Sequence, residues 1–331
     1  LIQALIQEYA LPEVHKYMFA IQSNAEQAVR SLLKKMRASM SASGLKAVDY
    51  MDDGTPIALS IEIDDEGSAV FDFAGTGAQV YANTNAPRAI THSAIIYCLR
   101  SLVASDMPLN QGCLNPIEVR IPESSILSPN LAASVVGGNV LTSQRITDVI
   151  LTAFGACADS SGCMNNLTFG IGGKRVDEHG NEVVDKGFGY YETIGGGAGA
   201  GPTWDGTSGV HTHMTNTRIT DPEVFEKRYP VLLREFGIRP GSGGEGQHPG
   251  GDGIVRDIEF LTPGVQVSIL SERRARAPKG AAGGGAGAMG QNLWVRSDGS
   301  VVNLGGKATA SFDRGDRIII KTPGGGAWGE K

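Results

Sequence analysis

The sequence predicts an α+β fold: a helix-rich first part carrying a β-hairpin, then an antiparallel β-rich C-terminal part with long glycine-rich loops. Three observations predict it. Apolar residues recur every three or four positions in much of the first half, and they alternate in the second. The 46 glycines, about twice the usual share of roughly 7%, sit in discrete clusters between the patterned segments. They follow no triplet period, so they belong to loops and not to a collagen-like rod. A chain of 331 residues exceeds what one compact core usually serves. Two lobes are expected, a mixed α+β lobe over 1–240 and a β-rich lobe over 241–331.

Leu1, Ile2, Leu5 and Ile6 already keep helical spacing, so the chain is expected to open inside an element and to be a piece of a longer polypeptide. Pro12 stands where a first helical turn tolerates it, and Val14, Met18, Ile21, Ala25, Ala28, Leu32 and Met36 trace one long amphipathic helix. Ile57, Leu59, Ile61 and Ile63 alternate with Ala58, Ser60, Glu62 and Asp64. After a turn ending at Gly67, Ala69, Phe71 and Phe73 alternate again, which makes a hairpin. Ile90, Ala94, Cys98 and Leu102 predict a helix over 87–103, and Ile117–Ile121 a short strand among prolines. A third helix starting near Leu141 would bury Ile146, Val149, Ile150, Ala153 and Phe154. Thr220-Asp221-Pro222-Glu223 opens a short fourth, with a capping residue, a proline and an acid in order. Beyond Gly241, Ile254, Ile258 and Phe260 mark one strand, and Val265, Val267 and Ile269 another. Leu293–Arg296 and Val301–Leu304 flank Asp298-Gly299, a pair suited to a type I′ turn.

A net charge of −6 lacks the basic excess of a dedicated nucleic-acid binder. No apolar run reaches membrane-spanning length, and no signal pattern opens the chain. The four cysteines form no CxxC pair, which predicts buried free thiols and a cytoplasmic protein. A small-molecule or protein partner is expected.

Three segments carry candidate binding residues. Ser208–Arg218 (SGVHTHMTNTR) gathers His211, His213, Asn216 and Arg218, a density of polar groups suited to a polar ligand. The His-x-His spacing lacks an evident third donor, so no metal site is assigned. Gly137-Gly138-Asn139 precedes the third helix, whose opening carries Gln144 and Arg145; free N–H groups and a positive helix end there would receive a carboxylate or phosphate. Glu272–Arg276 with Lys279 is the sharpest local positive charge, and Arg273 and Arg274 are expected at the surface, binding an anion or an acidic neighbour. GxGxxG occurs at Gly241-Gly243-Gly246 and Gly285-Gly287-Gly290, but neither lies between a strand and a helix as a dinucleotide site requires. No P-loop, GxSxG or HExxH is present, and no catalytic residue is assigned.

At these residues a resemblance enters. Ser208–Arg218 with Asp221-Pro222-Glu223-Val224, the Gly241–Arg256 segment (GSGGEGQHPGGDGIVR) and Gly137-Gly138-Asn139 with Thr142-Ser143-Gln144-Arg145 resemble the hydantoinase B family. Its members include the B subunit of ATP-dependent hydantoinases and the C-terminal half of 5-oxoprolinase. The likeness runs over essentially the whole chain, which corresponds to the C-terminal part of the B module. One departure is His248-Pro249 before Gly250-Gly251-Asp252-Gly253, where the family usually has an aromatic or basic residue and arginine. The resemblance implies part of an ATP-dependent cyclic-amide hydrolase, foremost one that opens 5-oxo-L-proline to L-glutamate in glutathione metabolism. A hydantoinase or ATP-dependent ketone carboxylase B subunit, and a non-catalytic assembly module, are the alternatives. It also implies ATP and a divalent metal for the full enzyme, with neither bound by this chain alone. The implied partners are the ATP-binding A module or the upstream part of the same polypeptide, a cyclic amide, and further copies in a homo-oligomer.

Overall fold

A computed structural model of the protein describes residues 1–38, 44–176 and 178–331. Two helices open the chain, α1 (Ile2–Tyr9) and α2 (Leu11–Ala38). α2 buries Ala25, Val29, Leu32 and Leu33, one stripe of its later turns, while Glu13 in its first turn and Arg37 in its last complement the helix dipole. The stripe belongs to an apolar cluster shared with a four-stranded sheet of β1 (Leu45–Tyr50), β2 (Pro56–Ile63), β3 (Ala69–Asp72) and β4 (Ile117–Arg120), in that spatial order. The first three strands are antiparallel, and β2–β3 is the expected hairpin. β3 and β4 are parallel, a pairing that needs a crossover, and α3 (Arg88–Leu102) lies in the connection. α4 (Ser143–Ala153), entered through a π turn at Gly138–Thr142, packs on α3, β1 and β2 and is buried almost all round, polar residues included.

The rest is mainly β. β5 (Asn166–Val176) and β6 (Glu182–Glu192) form a long hairpin, and α5 (Pro222–Arg228) follows, with the Asp221 side chain accepting from the N–H groups of Glu223 and Val224. The remaining strands are β7 (Val231–Arg239), β8 (Gly253–Phe260), β9 (Val265–Leu270), β10 (Gln291–Val295), β11 (Val301–Asn303), β12 (Lys307–Phe312) and β13 (Arg317–Lys321). One antiparallel sheet runs β11-β10-β13-β8-β7 and another β12-β9-β5-β6. Their inner faces share a second apolar cluster, including Phe169, Tyr190, Val267 and Phe312 from one sheet and Ile258, Phe260 and Ile318 from the other, a sandwich core. Among the described residues no helix is long and apolar enough to cross a membrane.

The expected lobe boundary at 240/241 falls between paired strands: β7 bonds to β8 and β5 to β9 across it. The two apolar clusters divide nearer residue 165, their buried members spanning Ala25 to Cys163 and Leu167 to Ile320. The turn at Asp298-Gly299 also differs from expectation. Only Gly299 takes a positive φ, 85°, and Arg296 N–H donates to Ser300 O, so the loop holds three residues and is not type I′.

The glycine clusters pack on one another. Gly251 N–H donates to Ala198 O, Gly325 to Gly251 O, Gly244 to Gly325 O and Gly285 to Glu245 O, at 2.7–2.9 Å. A Cβ on Gly197 would lie 1.9 Å from Gly251 O, and one on Gly325 1.9 Å from Ala198 O. Glycine is demanded here by the approach of backbone to backbone. Asp252, the acid of the Gly-Gly-Asp-Gly run, is turned inward to accept from the N–H groups of Ser242 and Gly243, both at 2.7 Å.

Gly325→Ala should therefore cost about 3 kcal/mol or more by overpacking against immovable backbone. Gly237→Ala, on β7 with nothing within 4 Å of the added carbon, should change stability by less than about 0.5 kcal/mol. Urea denaturation of the two variants checks the contrast.

Candidate functional site

The start of α4 is built by two glycines. Gly137 and Gly138 lie against the carbonyls of Asn83 and Asn85, where a side chain would collide, and Gly137 N–H donates to Asn83 O at 2.7 Å while Gly138 N–H donates to Val135 O at 2.9 Å. The helix end expected to offer free donors to an anion thus has its leading ones occupied. Asn139 is exposed, but Gln144 and Arg145 are fully buried and point into the molecule.

Gln144 clamps the histidine segment. Its amide nitrogen donates to Thr212 O at 3.0 Å and to Thr215 Oγ1 at 2.8 Å, and its amide oxygen accepts from Met214 N–H at 3.1 Å. A turn closes in the same stretch, with Thr215 N–H donating to Thr212 O. His213 sits inside this bracket at φ 48°, a left-handed conformation that a non-glycine residue rarely keeps without such support. Its Nε2 lies 3.5 Å from Asp148 Oδ1, and its Nδ1 lies 3.1 Å from the Tyr97 hydroxyl on α3. His211 is half-buried with Nδ1 unpartnered, and burial pushes its pKa down. Arg218 is exposed.

A recess of about 310 Å³ opens beside this segment. Asn139 and Ser143 come to it from the helix start, Ser93 from α3, Tyr191 and Thr193 from the end of β6, and Asn216 and Thr217 from the histidine segment. Ile90, Met164 and Met214 add apolar surface. The hydroxyls of Thr193 and Thr217 hydrogen-bond each other and tie two walls together. Among the described residues no charged side chain lines the recess. Its amides and hydroxyls can both donate to and accept from a neutral polar ligand, and its apolar patches can bury a small ring. Asn139 and Asn216 are the sequence candidates that meet there. Ser93, Tyr191 and Thr193 carried no motif by which sequence alone could find them.

The arginine cluster requires correction. Arg273 and Arg274 are not a surface patch: Arg273 is 0% exposed, with Asp49 at 2.9 Å, Asp148 at 3.1 Å and Asp159 at 2.8 Å. Arg145 meets Asp49 at 2.9 Å and Glu272 at 3.4 Å, and Lys307 closes on Glu272. The Arg274 guanidinium is held by Asn165 Oδ1, Glu272 O and Asn292 Oδ1 at 2.7–3.1 Å. Of the basic side chains in this segment, Arg276 and Lys279 are exposed, over the Tyr50 ring. Burial raises the Asp49 carboxyl, but Arg273, Arg145 and Lys279 together hold it well below the usual carboxylate range. Burial likewise raises Asp148, and His213, Arg273 and the Ser160 N–H outweigh it. For Asp159 burial prevails over Arg273, and that carboxyl is raised.

Among the described residues no three His, Cys, Asp or Glu side chains come together in a way that could hold a metal ion. Burial, with Asp148 and Asp159, pushes the Cys157 thiol up to about 12, and burial raises Cys98 further.

The sequence model of the family described as Hydantoinase B/oxoprolinase matches residues 1–331. The chain is 56% identical to the Arabidopsis thaliana protein named 5-oxoprolinase 1, over 99% of this chain and 26% of that protein. It is 54% identical to a Dictyostelium discoideum protein named 5-oxoprolinase, over 100% of this chain and 25% of that one. It therefore spans about a quarter of the length of these relatives. The crystal structure of an ATP-dependent caprolactamase from Pseudomonas jessenii has the same fold, with a TM-score of 0.79 and 19% identity over 99% of this chain and 58% of that one.

Arg273→Ala should cost about 3–5 kcal/mol, because it leaves three buried carboxylates without their shared cation. Acid should act the same way. Asp49 and Asp148 ionise below their unfolded value of about 3.9, so their contribution is complete above about pH 5 and is lost as pH falls through 4 and below, Asp159 opposing them in part. Urea midpoints from pH 7 to pH 3 should be flat and then fall, with a shallower acid fall in Arg273→Ala.

Proposed function

This chain belongs to the hydantoinase B/oxoprolinase family, and on that premise we propose that it is part of an ATP-dependent enzyme that opens 5-oxo-L-proline to L-glutamate. The observation that carries the reading is the uncharged recess between the start of α4 and the histidine segment, whose amides and hydroxyls suit the N–H and C=O of a lactam. Relatives named 5-oxoprolinase, more than half identical throughout this chain, support the substrate. A lactam is a poor electrophile, so coupling to ATP, through phosphorylation of its oxygen, makes the carbonyl open to water. In this scheme the chain orients the ring, and Asn139 and Asn216 grip its amide.

ATP itself is assigned to the remaining three quarters of the polypeptide, since this sequence has no P-loop. The exposed Ile2 and Leu5 of α1 and Tyr17 and Phe19 of α2 support burial of that face against another module. Four free thiols support a reducing compartment, the cytosol.

In the full-length polypeptide, 5-oxo-L-proline should trigger ATP hydrolysis with one glutamate formed per phosphate, and hydantoin and acetone should not. Asn139→Ala and Asn216→Ala should each raise KM about 3- to 10-fold, the loss of one hydrogen bond, with unchanged melting because both side chains are exposed. Stimulation by hydantoin or acetone alone would overturn the substrate, and unaltered KM values would remove the recess.

A further inference from the structure

Amide hydrolysis needs a group that moves a proton, and the one phenol among the described residues lining the recess, Tyr191, already accepts from the Asn166 amide. One helical turn beyond the recess stands a set of groups that no binding role uses, in which His213 Nε2 approaches Asp148 without a formed hydrogen bond. Tyr97 lies one turn beyond Ser93 on α3, and Ser93 lines the recess, as does Met214, the neighbour of His213. The Tyr97 hydroxyl is 3.1 Å from His213 Nδ1, and His213 Nε2 is 3.5 Å from Asp148 Oδ1. Asp148 is anchored in turn: Oδ1 accepts from the Ser160 N–H and hydroxyl at 3.0 Å, and Oδ2 from Arg273 at 3.1 Å. His213 retains 15% of its side-chain exposure, so the set is neither sealed in the core nor free in solvent. Its left-handed backbone, bracketed on both sides by Gln144, aims the imidazole between phenol and carboxylate. Strain held in place by surrounding bonds is a mark of a working site.

We propose that Tyr97, His213 and Asp148 form a proton relay at the edge of the recess, with Tyr97 as the catalytic residue and the other two as positioning residues. The proposal rests on the amide-hydrolase reading above. The arrangement assigns the neutral imidazole, with Nε2–H toward Asp148 and Nδ1 accepting from the Tyr97 O–H. When water adds to the carbon of the O-phosphorylated lactam, a C–O bond forms, the C=N π pair passes to nitrogen, the water proton passes to the Tyr97 oxygen, and the phenol's own proton moves to Nδ1. The imidazolium so formed faces the ionised Asp148. The relay returns that proton through Tyr97 to the ring nitrogen; the C–N bond then breaks with its pair on nitrogen, the new hydroxyl gives its proton to the amine, and a second water hydrolyses the acyl phosphate to carboxylate and phosphate. The charged and titratable groups facing His213 are Tyr97 from α3 and Asp148 from α4, with Arg273 and Asp159 behind Asp148, and Cys98 and Cys157 toward Tyr97.

The test uses the full-length enzyme, with Tyr97→Phe and His213→Asn rather than a change at the buried Asp148. Asparagine tolerates the left-handed backbone, and phenylalanine keeps the ring. Each variant should lower kcat for 5-oxo-L-proline at least about 100-fold with KM within about threefold, and the double variant should be no worse than either single one. Wild-type kcat in either variant, or losses that multiply in the double, would overturn the relay. A second readout is independent of turnover: with isotope-labelled histidine, the His213 Nδ1 resonance in NMR should move in Tyr97→Phe, because the hydrogen bond it accepts from the phenol is gone. If the wild-type enzyme opens no cyclic amide, the functional reading fails, and this resonance then decides the relay, a change supporting it and no change overturning it.

Discussion

The structure depends on a buried cluster in which two cations, Arg145 and Arg273, meet four carboxylates, Asp49, Asp148, Asp159 and Glu272, with the exposed Lys279 and Lys307 closing on it from outside. The members come from β1, from α4 and the stretch after it, from the segment between β9 and β10, and from the start of β12. No apolar contact could impose the same alignment. Each charge loses its hydration on burial and is tolerable only where its partners stand within bonding distance, so the segments either meet in one arrangement or leave a charge stranded. The cluster thus ties the helical sheet domain to the sandwich with a specificity that the two apolar clusters, each satisfied within its own half, do not supply.

This tie also explains the division of labour at the site. Polar side chains of α4 fall on two sides of it: Arg145 and Asp148 enter the charge cluster, while Gln144 grips the histidine segment. Charge is kept behind the recess, where it fixes geometry, and the wall itself is left neutral. A neutral wall suits a ligand whose own amide is neutral, and the Asp148 carboxylate reaches that region only through His213.

Much of the fold was legible. Three- and four-residue spacing found α2, α3 and α4, and the Asp221 cap found α5, because those signals are local. β5 and β6 escaped, since Gly170, Gly172, Gly187 and Gly189 interrupt the alternation that marks a strand. Of the site residues, Asn139 and Asn216 were visible as polar residues in unusual company, and the recess brings both together. The Arg273 reading went astray for an instructive reason. A run of arginines in an acidic chain looks like solvated surface until its partners are known, and Asp49, Asp148 and Asp159 lie more than a hundred residues upstream. Tyr97 lay hidden in the same way, as one aromatic residue on an ordinary helix. The glycine clusters were read as loops, and those loops pack against other glycine-rich backbone.

That mutual stitching bears on how the chain acquires its shape. The glycine segments near 197–201, 243–251, 280–287 and 324–327 are separated by 41, 28 and 36 residues in sequence, yet each is hydrogen-bonded to at least one other. None can be completed by local structure, and the first must wait for the last, more than a hundred residues later in the chain. Long loops must close before these bonds repay the lost chain entropy, a topology of high contact order that folds slowly. Until then the open backbone edges of the sandwich remain unpaired, so production of the protein is governed by protection from aggregation during that interval as much as by its final stability.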